Sequence, residues 1–173
     1  MIIIYTSRRI KHKSLAVIKE YGTNNVYQIC ESLGIYILKN NLGQANGFLQ
    51  FDEPTNQYLI HINENLKYEH FVIAHELGHY YLHKNLNTFK ILNCSSALKD
   101  KLEHQANLFA SELLLTDRMI HDAIPIIREF TQEQVASYFE VPLSAVVDYK
   151  FAQPGNTLNS VFNFCNNQLK AFG

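Results

Sequence analysis

His75-Glu76-Leu77-Gly78-His79 places two imidazoles four residues apart, with a carboxylate beside the first. Such a set can hold and use a zinc ion. On a helix a four-residue step turns about 400° and rises about 6 Å, so His75 and His79 share one face and can share one metal. Glu76 then stands about 100° from His75 and about 60° from His79, where its carboxylate flanks the ion and can take a proton from water held there. Five residues in a chain with eight histidines are a weak signal by themselves. Their flanks strengthen it. Phe71-Val72-Ile73-Ala74 and Tyr80-Tyr81-Leu82 are apolar almost all the way round, as in a buried central helix. Ionisable groups inside such a helix are costly unless something neutralises or coordinates them, and a metal does both.

The elements that must position this motif are legible from periodicity. The motif helix is predicted over about residues 66–84, with Asn63 or Asn65 as its cap. Before it, residues 14–21 and 23–33 carry helical apolar spacing and stop at Gly22 and Gly34. The β-prone runs 35–38, 47–51 and 58–62 follow, divided by turn-forming residues, and predict a small antiparallel sheet of three strands. After a loop near residues 85–96, a second long helix is expected over about 97–115, with Leu98, Leu102, Ala106, Phe109 and Leu113 at three- and four-residue steps. The two long helices should pack together. Thr131-Gln132-Glu133-Gln134 reads as a capping box for a short helix through Phe139, and Pro142 opens another with Leu143, Val146 and Val147. The class is α+β and mainly helical. One domain is expected over residues 1–153, its C-terminal helical part covering about 116–153, with a weakly structured tail over 154–173.

A catalytic zinc site usually takes three protein ligands and leaves one position for water. Glu103, on the second long helix, is the candidate third. Asn107 shares its face one turn on and could orient a metal-bound His from behind. The small residues Ala106 and Ala110 would let this helix approach the first closely at Gly78. Glu112 lies about 180° around from Glu103, and His104 is turned about 100° away, as a surface histidine would be. His83 stands about 12 Å along the axis from His75, too far to join one ion, and is expected to be structural. His61, on the last strand before the motif helix, could face the cleft and contact an oxyanion, although a strand histidine is more often only a satisfied polar residue.

The run Ala74-His75-Glu76-Leu77-Gly78-His79-Tyr80-Tyr81-Leu82-His83, together with Glu103-x-x-Ala106-Asn107-x-Phe109-Ala110 and Glu112-Leu113-Leu114-Leu115, resembles the ImmA/IrrE family of zinc metallopeptidases. The resemblance spans about residues 26–115, and the chain follows the family only loosely beyond. It implies a gluzincin-like member of the zincin folds, with the sheet packed beside the active-site helix. It further implies a Zn2+ ligand set of His75, His79 and Glu103, with Glu76 as the base. The implied substrate is a helix-turn-helix repressor of a phage, a mobile element or a stress response, cut to release transcription. Many relatives carry Met-Pro where this chain has Leu115-Thr116, a departure that touches the helix end rather than the metal.

Composition narrows the remaining classes. With 47% hydrophobic and 18% charged residues and a net charge of −1, the chain reads as an ordinary soluble domain and not as a phosphate-binding scaffold. The apolar start is followed at once by Arg8, Arg9, Lys11 and Lys13, unlike a secretion signal, and no window approaches the ~20 apolar residues of a membrane span. Cys30, Cys94 and Cys165 lack metal or disulfide spacing, which suits reduced thiols in a cytoplasm, and the resemblance implies that of a bacterial host. Residues 131–147 look like a helix-turn-helix. A DNA reader would carry Arg, Lys, Asn or Gln on its second helix, whereas this one offers Leu143, Ser144 and Asp148 with only Lys150 beyond. A packing or repressor-docking element is expected there, without direct nucleic-acid binding. The reading is therefore a zinc-dependent endopeptidase acting on a protein. Its rival is a non-catalytic zinc-fold module that binds and sequesters a repressor; a pure binding module would not need Glu76.

Overall fold

The computed structural model describes residues 4–84 and 94–151. The chain divides into two compact units, Met1–Leu114 and Leu115–Gly173. In the first, helix α1 (Ser7–Tyr21) begins well before the expected residue 14. Thr6 caps it by accepting from the Arg9 N–H, and Ile10, Ser14 and Val17 form a buried stripe that starts in its first turns. The basic residues 8, 9, 11 and 13 thus belong to a helix. Helix α2 (Val26–Leu33) is capped by the Asn25 side chain, which accepts from the Tyr27 and Gln28 N–H groups.

Three strands follow, β1 (Tyr36–Asn40), β2 (Gly47–Asp52) and β3 (Gln57–Asn63), in the spatial order β1-β3-β2. The sheet is mixed, which corrects the antiparallel expectation: β2 pairs antiparallel with β3, and β1 pairs parallel with it. Ile60 and Ile62 are fully buried, so β3 takes the central position. The chain leaving β1 passes that position to lay down β2 first, and a tight turn closed by Asn56 N–H on the Glu53 carbonyl brings β3 back between them. Apolar alternation marks a strand and its buried face but does not state its neighbours.

Helix α3 (Glu69–Leu82) carries the motif and is shorter than expected, with neither Asn63 nor Asn65 at its cap. Tyr68 holds the N-cap position without a side-chain bond. Glu69 anchors the first turn instead, accepting from Tyr27 Oη at 2.5 Å and pairing with Lys39 Nζ at 2.7 Å. A carboxylate also suits a helix N-terminus. The Asn63 side chain is occupied elsewhere, donating to the Gly43 and Ala45 carbonyls.

Helix α4 (Ser96–Leu114) packs on α3 and α1. Gly78 makes the first of these contacts possible, because a Cβ there would lie 3.0 Å from Ala106 Cα and O. Gly47 does the same for β2 against α3, where a Cβ would stand 2.7 Å from Val72 Cγ1. Ile60, Ile62, Ile73, Leu77, Phe109 and Leu113 fill the core between these elements, each contributing about 1.5–3 kcal/mol by leaving water.

In the second unit, α5 (Asp117–Ile127) is capped by Thr116 and buries Ile120, Ala123 and Ile127. It lies in the part expected to be helical over about 116–153, and it carries Pro125 inside it. Helix α6 (Gln132–Tyr138) opens with the expected capping box, Thr131 and Gln134 bonding reciprocally. The segment after Pro142 is helical as expected, but takes π form over Ala145–Phe151. Its Lys150 is 1% exposed and pairs with Asp117 at 2.8 Å. The expected tail at 154–173, with Cys165, and most of the loop after α3, residues 85–93, lie outside the described residues. No helix among the described residues is long and apolar enough to cross a membrane.

Candidate active site

One turn of α3 separates His75 from His79, and the contact of Gly78 with Ala106 carries Glu103 of α4 across to both. The two Nε2 atoms are 3.1 Å apart. Glu103 Oε2 lies 3.2 Å from His75 Nε2, and Oε1 lies 3.5 Å from His79 Nε2. The three candidate ligand atoms all fall within 4.8 Å of one another. Two imidazole nitrogens and a carboxylate so converged fit a divalent cation such as zinc.

Bonds on the far side of each ring aim these atoms. His75 Nδ1 donates to Asn107 Oδ1 at 2.8 Å, which turns Nε2 toward Glu103. His79 Nδ1 lies 3.1 Å from His83 Nδ1. Glu112 sits away from this cluster, 1% exposed, with Lys11 Nζ at 4.0 Å. His104 is on the exposed side of α4. His61 alternates with Ile60 and Ile62 along β3, so its ring stands on the opposite sheet face, stacked on Phe48. Both its nitrogens are already engaged: Asn40 Nδ2 donates to Nδ1 at 3.1 Å, and Nε2 donates to Gln50 Oε1 at 3.0 Å. To meet a substrate oxygen, its ring would have to give up Gln50.

Glu76 is buried on the side of α3 that meets β2. Asn63 N–H bonds the Asn46 carbonyl, so in the antiparallel ladder the Leu49–Ile60 pair is one that exchanges no bonds and the Leu49 N–H points outward. Glu76 accepts from it. The carboxylate's Oε2 is buried with no partner. Burial, helped by the charge of Glu103, raises the Glu76 pKa to about 7 against the pull of His75 and the Leu49 amide. Burial also holds His79 down to about 4, with His75 adding to it and Glu103 opposing. For His75 burial pushes down as well, but Glu103, Glu76 and the bond to Asn107 together outweigh it and its pKa is raised. Glu103 is lowered, since the bonds to His75 and His79 overcome its burial. The site thus holds an ionised carboxylate against imidazoles, a balance in which a divalent cation can replace a proton. The orphaned Glu76 Oε2 would be satisfied by water brought there, so the residues present fit a metal.

The family profile of the IrrE N-terminal-like domain, a peptidase family, matches residues 30–149. This chain belongs to the ImmA/IrrE family of metallopeptidases. It is 63% identical over 173 residues, the whole of both chains, to Metallopeptidase ImmA of Bacillus subtilis (strain 168). It is 34% identical over 134 residues to the uncharacterized immunity region protein 2 of Bacillus phage phi105, covering 77% of this chain and 84% of that protein. In structure it resembles a Mycobacterium tuberculosis transcriptional regulator with a TM-score of 0.60 at 16% identity, over 86% of this chain and 48% of that one. That likeness is one of fold alone, and this chain spans about half of that protein.

As an ImmA/IrrE member the chain is a metal-dependent peptidase. Two groups around the site carry no sequence signal. The Leu49 amide becomes visible only once strand order makes β2 an edge, and Gln105, a partner of His83, lies off the face that Glu103 and Asn107 share. In the helix-turn-helix-like segment, the one cation noted from sequence beyond its second helix, Lys150, is buried against Asp117.

Proposed function

We propose that this metallopeptidase is a zinc-dependent endopeptidase with His75, His79 and Glu103 as ligands and Glu76 as base. Its substrate is a helix-turn-helix repressor of a phage or mobile element, cut in the cytoplasm to derepress transcription. One observation carries the catalytic half: three ligand atoms converge beside a buried carboxylate oxygen without a partner. A bound zinc ion would supply Lewis acidity, polarising the scissile carbonyl and bringing the pKa of water toward about 7. Glu76 takes the water proton at Oε2 while the Leu49 N–H steadies the carboxylate. As a carboxylate it can accept that proton and hand it on to the leaving amine. Asn107 keeps His75 turned inward. Strand β2 is an edge of the sheet beside α3, so an extended substrate segment can add to it backbone to backbone.

The phage relative is named for an immunity region, and that name supports a substrate that governs such genes. Burial of Lys150 supports action on the repressor protein and not on DNA directly. A module that only gripped its partner would bear the cost of Glu76 Oε2, buried and unpaired, with nothing in return. The test is incubation of the zinc-loaded protein with the purified repressor encoded beside it, followed by mass spectrometry. Two complementary fragments should form, and neither a chelator-treated sample nor Glu76→Gln should yield them. An intact repressor held in a stable complex by the zinc-loaded protein would replace cleavage by sequestration.

A further inference from the structure

We propose that His83 and Gln105 are positioning residues that fix the tautomer and direction of His79, through a chain of hydrogen bonds ending on the backbone of Tyr5. The proposal deepens the reading of His79 as a metal ligand and rests on it. Its direction can be worked out from the far end. The Tyr5 carbonyl oxygen can only accept, and Gln105 Nε2 donates to it at 3.3 Å. Gln105 therefore turns Oε1 toward His83, 3.0 Å from its Nε2. An amide oxygen also only accepts, so His83 carries its proton on Nε2. With Nε2 donating to Gln105, Nδ1 is the acceptor of the imidazole pair. That atom is 3.1 Å from His79 Nδ1, which must donate. The His79 Nε2 is then left with a lone pair, pointed at the ligand cluster beside His75 Nε2 and Glu103.

Each link has one donor and one acceptor, and each side chain in it is buried: His79 at 3% exposure, His83 and Gln105 at 4%. Three buried polar side chains would be costly if any link failed, so the arrangement resists rotation of the His79 ring. The chain also ties α3 and α4 to the segment just before α1. His83 is thus too distant to share the ion yet bonded to a residue that would hold it.

Zinc affinity, measured by competition with a chromophoric chelator, tests this alongside 15N-histidine NMR of the wild-type protein. His83→Leu should weaken zinc binding about 10- to 100-fold, as loss of a partner behind a ligand does. Gln105→Leu should weaken it in the same direction. His83→Gln, whose amide can accept from His79 and donate to Gln105, should restore most of the affinity. The NMR spectra should show His83 protonated at Nε2 and His79 at Nδ1, with or without zinc, an outcome that does not depend on any variant folding. A His83 protonated at Nδ1, or a folded His83→Leu with wild-type affinity, overturns the relay. His79→Ala separates the two levels. If it loses zinc while His83→Leu does not, the relay alone fails; if it keeps wild-type affinity, the ligand reading fails with it.

Discussion

Glu76→Gln should abolish peptide hydrolysis and at the same time stabilise the metal-free protein above neutral pH. Glu76 is 4% exposed, and its pKa rises from 4.5 to about 7, chiefly through burial. An acid whose pKa is raised by folding stabilises the fold while it is protonated. That contribution is complete below the unfolded value and is lost as the pH climbs through the folded one. At about 1.4 kcal/mol per pKa unit, keeping the carboxylate ionised costs the fold about 3 kcal/mol, of which about 2.5 kcal/mol is lost between about pH 5 and pH 8. Glutamine does not titrate and escapes this slope. Urea unfolding of chelator-treated wild type and variant at those two pH values measures the effect. The stability difference should move by about 2.5 kcal/mol in favour of the variant. Zinc should shrink it, because a nearby cation favours the carboxylate. Differences that stay constant to within about 0.5 kcal/mol, the ordinary scatter of additivity, would refute this account of the Glu76 environment.

Three further outcomes are expected. Gly78→Ala should lower the melting temperature by an amount equivalent to about 1–3 kcal/mol, because its Cβ would press on Ala106 backbone 3.0 Å away; a variant as stable as wild type would show that α4 can retreat freely. Glu103→Ala should lose zinc in a stoichiometry measurement while Glu112→Ala keeps it, and the reverse pattern would overturn the ligand assignment. Asp117→Ala should destabilise by about 2 kcal/mol, and more than Lys150→Met, because the first leaves a buried ammonium and the second removes it. Equal unfolding midpoints for the two variants would count against that pairing.

What the sequence made legible is what local periodicity controls. The motif helix, the long helix after it and the capping box at Thr131 were readable because each rests on residues within a few positions of one another. The mixed sheet was not readable, since a β-prone run states neither its neighbours nor their direction, and the deep burial of Ile60 and Ile62 that puts β3 in the middle is set by tertiary packing. The cap of α3 was misread for a related reason. Asn63 and Asn65 have the right chemistry for a cap, but Glu69 is fixed by Tyr27 and Lys39, residues from two other elements that no local rule brings together. His61 shows the same limit, its two ring bonds reaching Asn40 on β1 and Gln50 on β2.

The run Gln105-Ala106-Asn107 shows how one tertiary contact can set several parts of a site at once. Successive residues on a helix are turned by about 100°, so with Ala106 pressed on Gly78 the two amides must stand on opposite flanks of the contact. Asn107 on one flank meets His75, and Gln105 on the other meets His83 and, through it, His79. Glu103, one turn earlier on the face of Ala106, reaches both Nε2 atoms between them. A side chain larger than glycine at 78 or alanine at 106 would therefore do more than loosen the core. It would lift both amides and the carboxylate together, and zinc affinity should fall further than the replacement of either amide alone would cause.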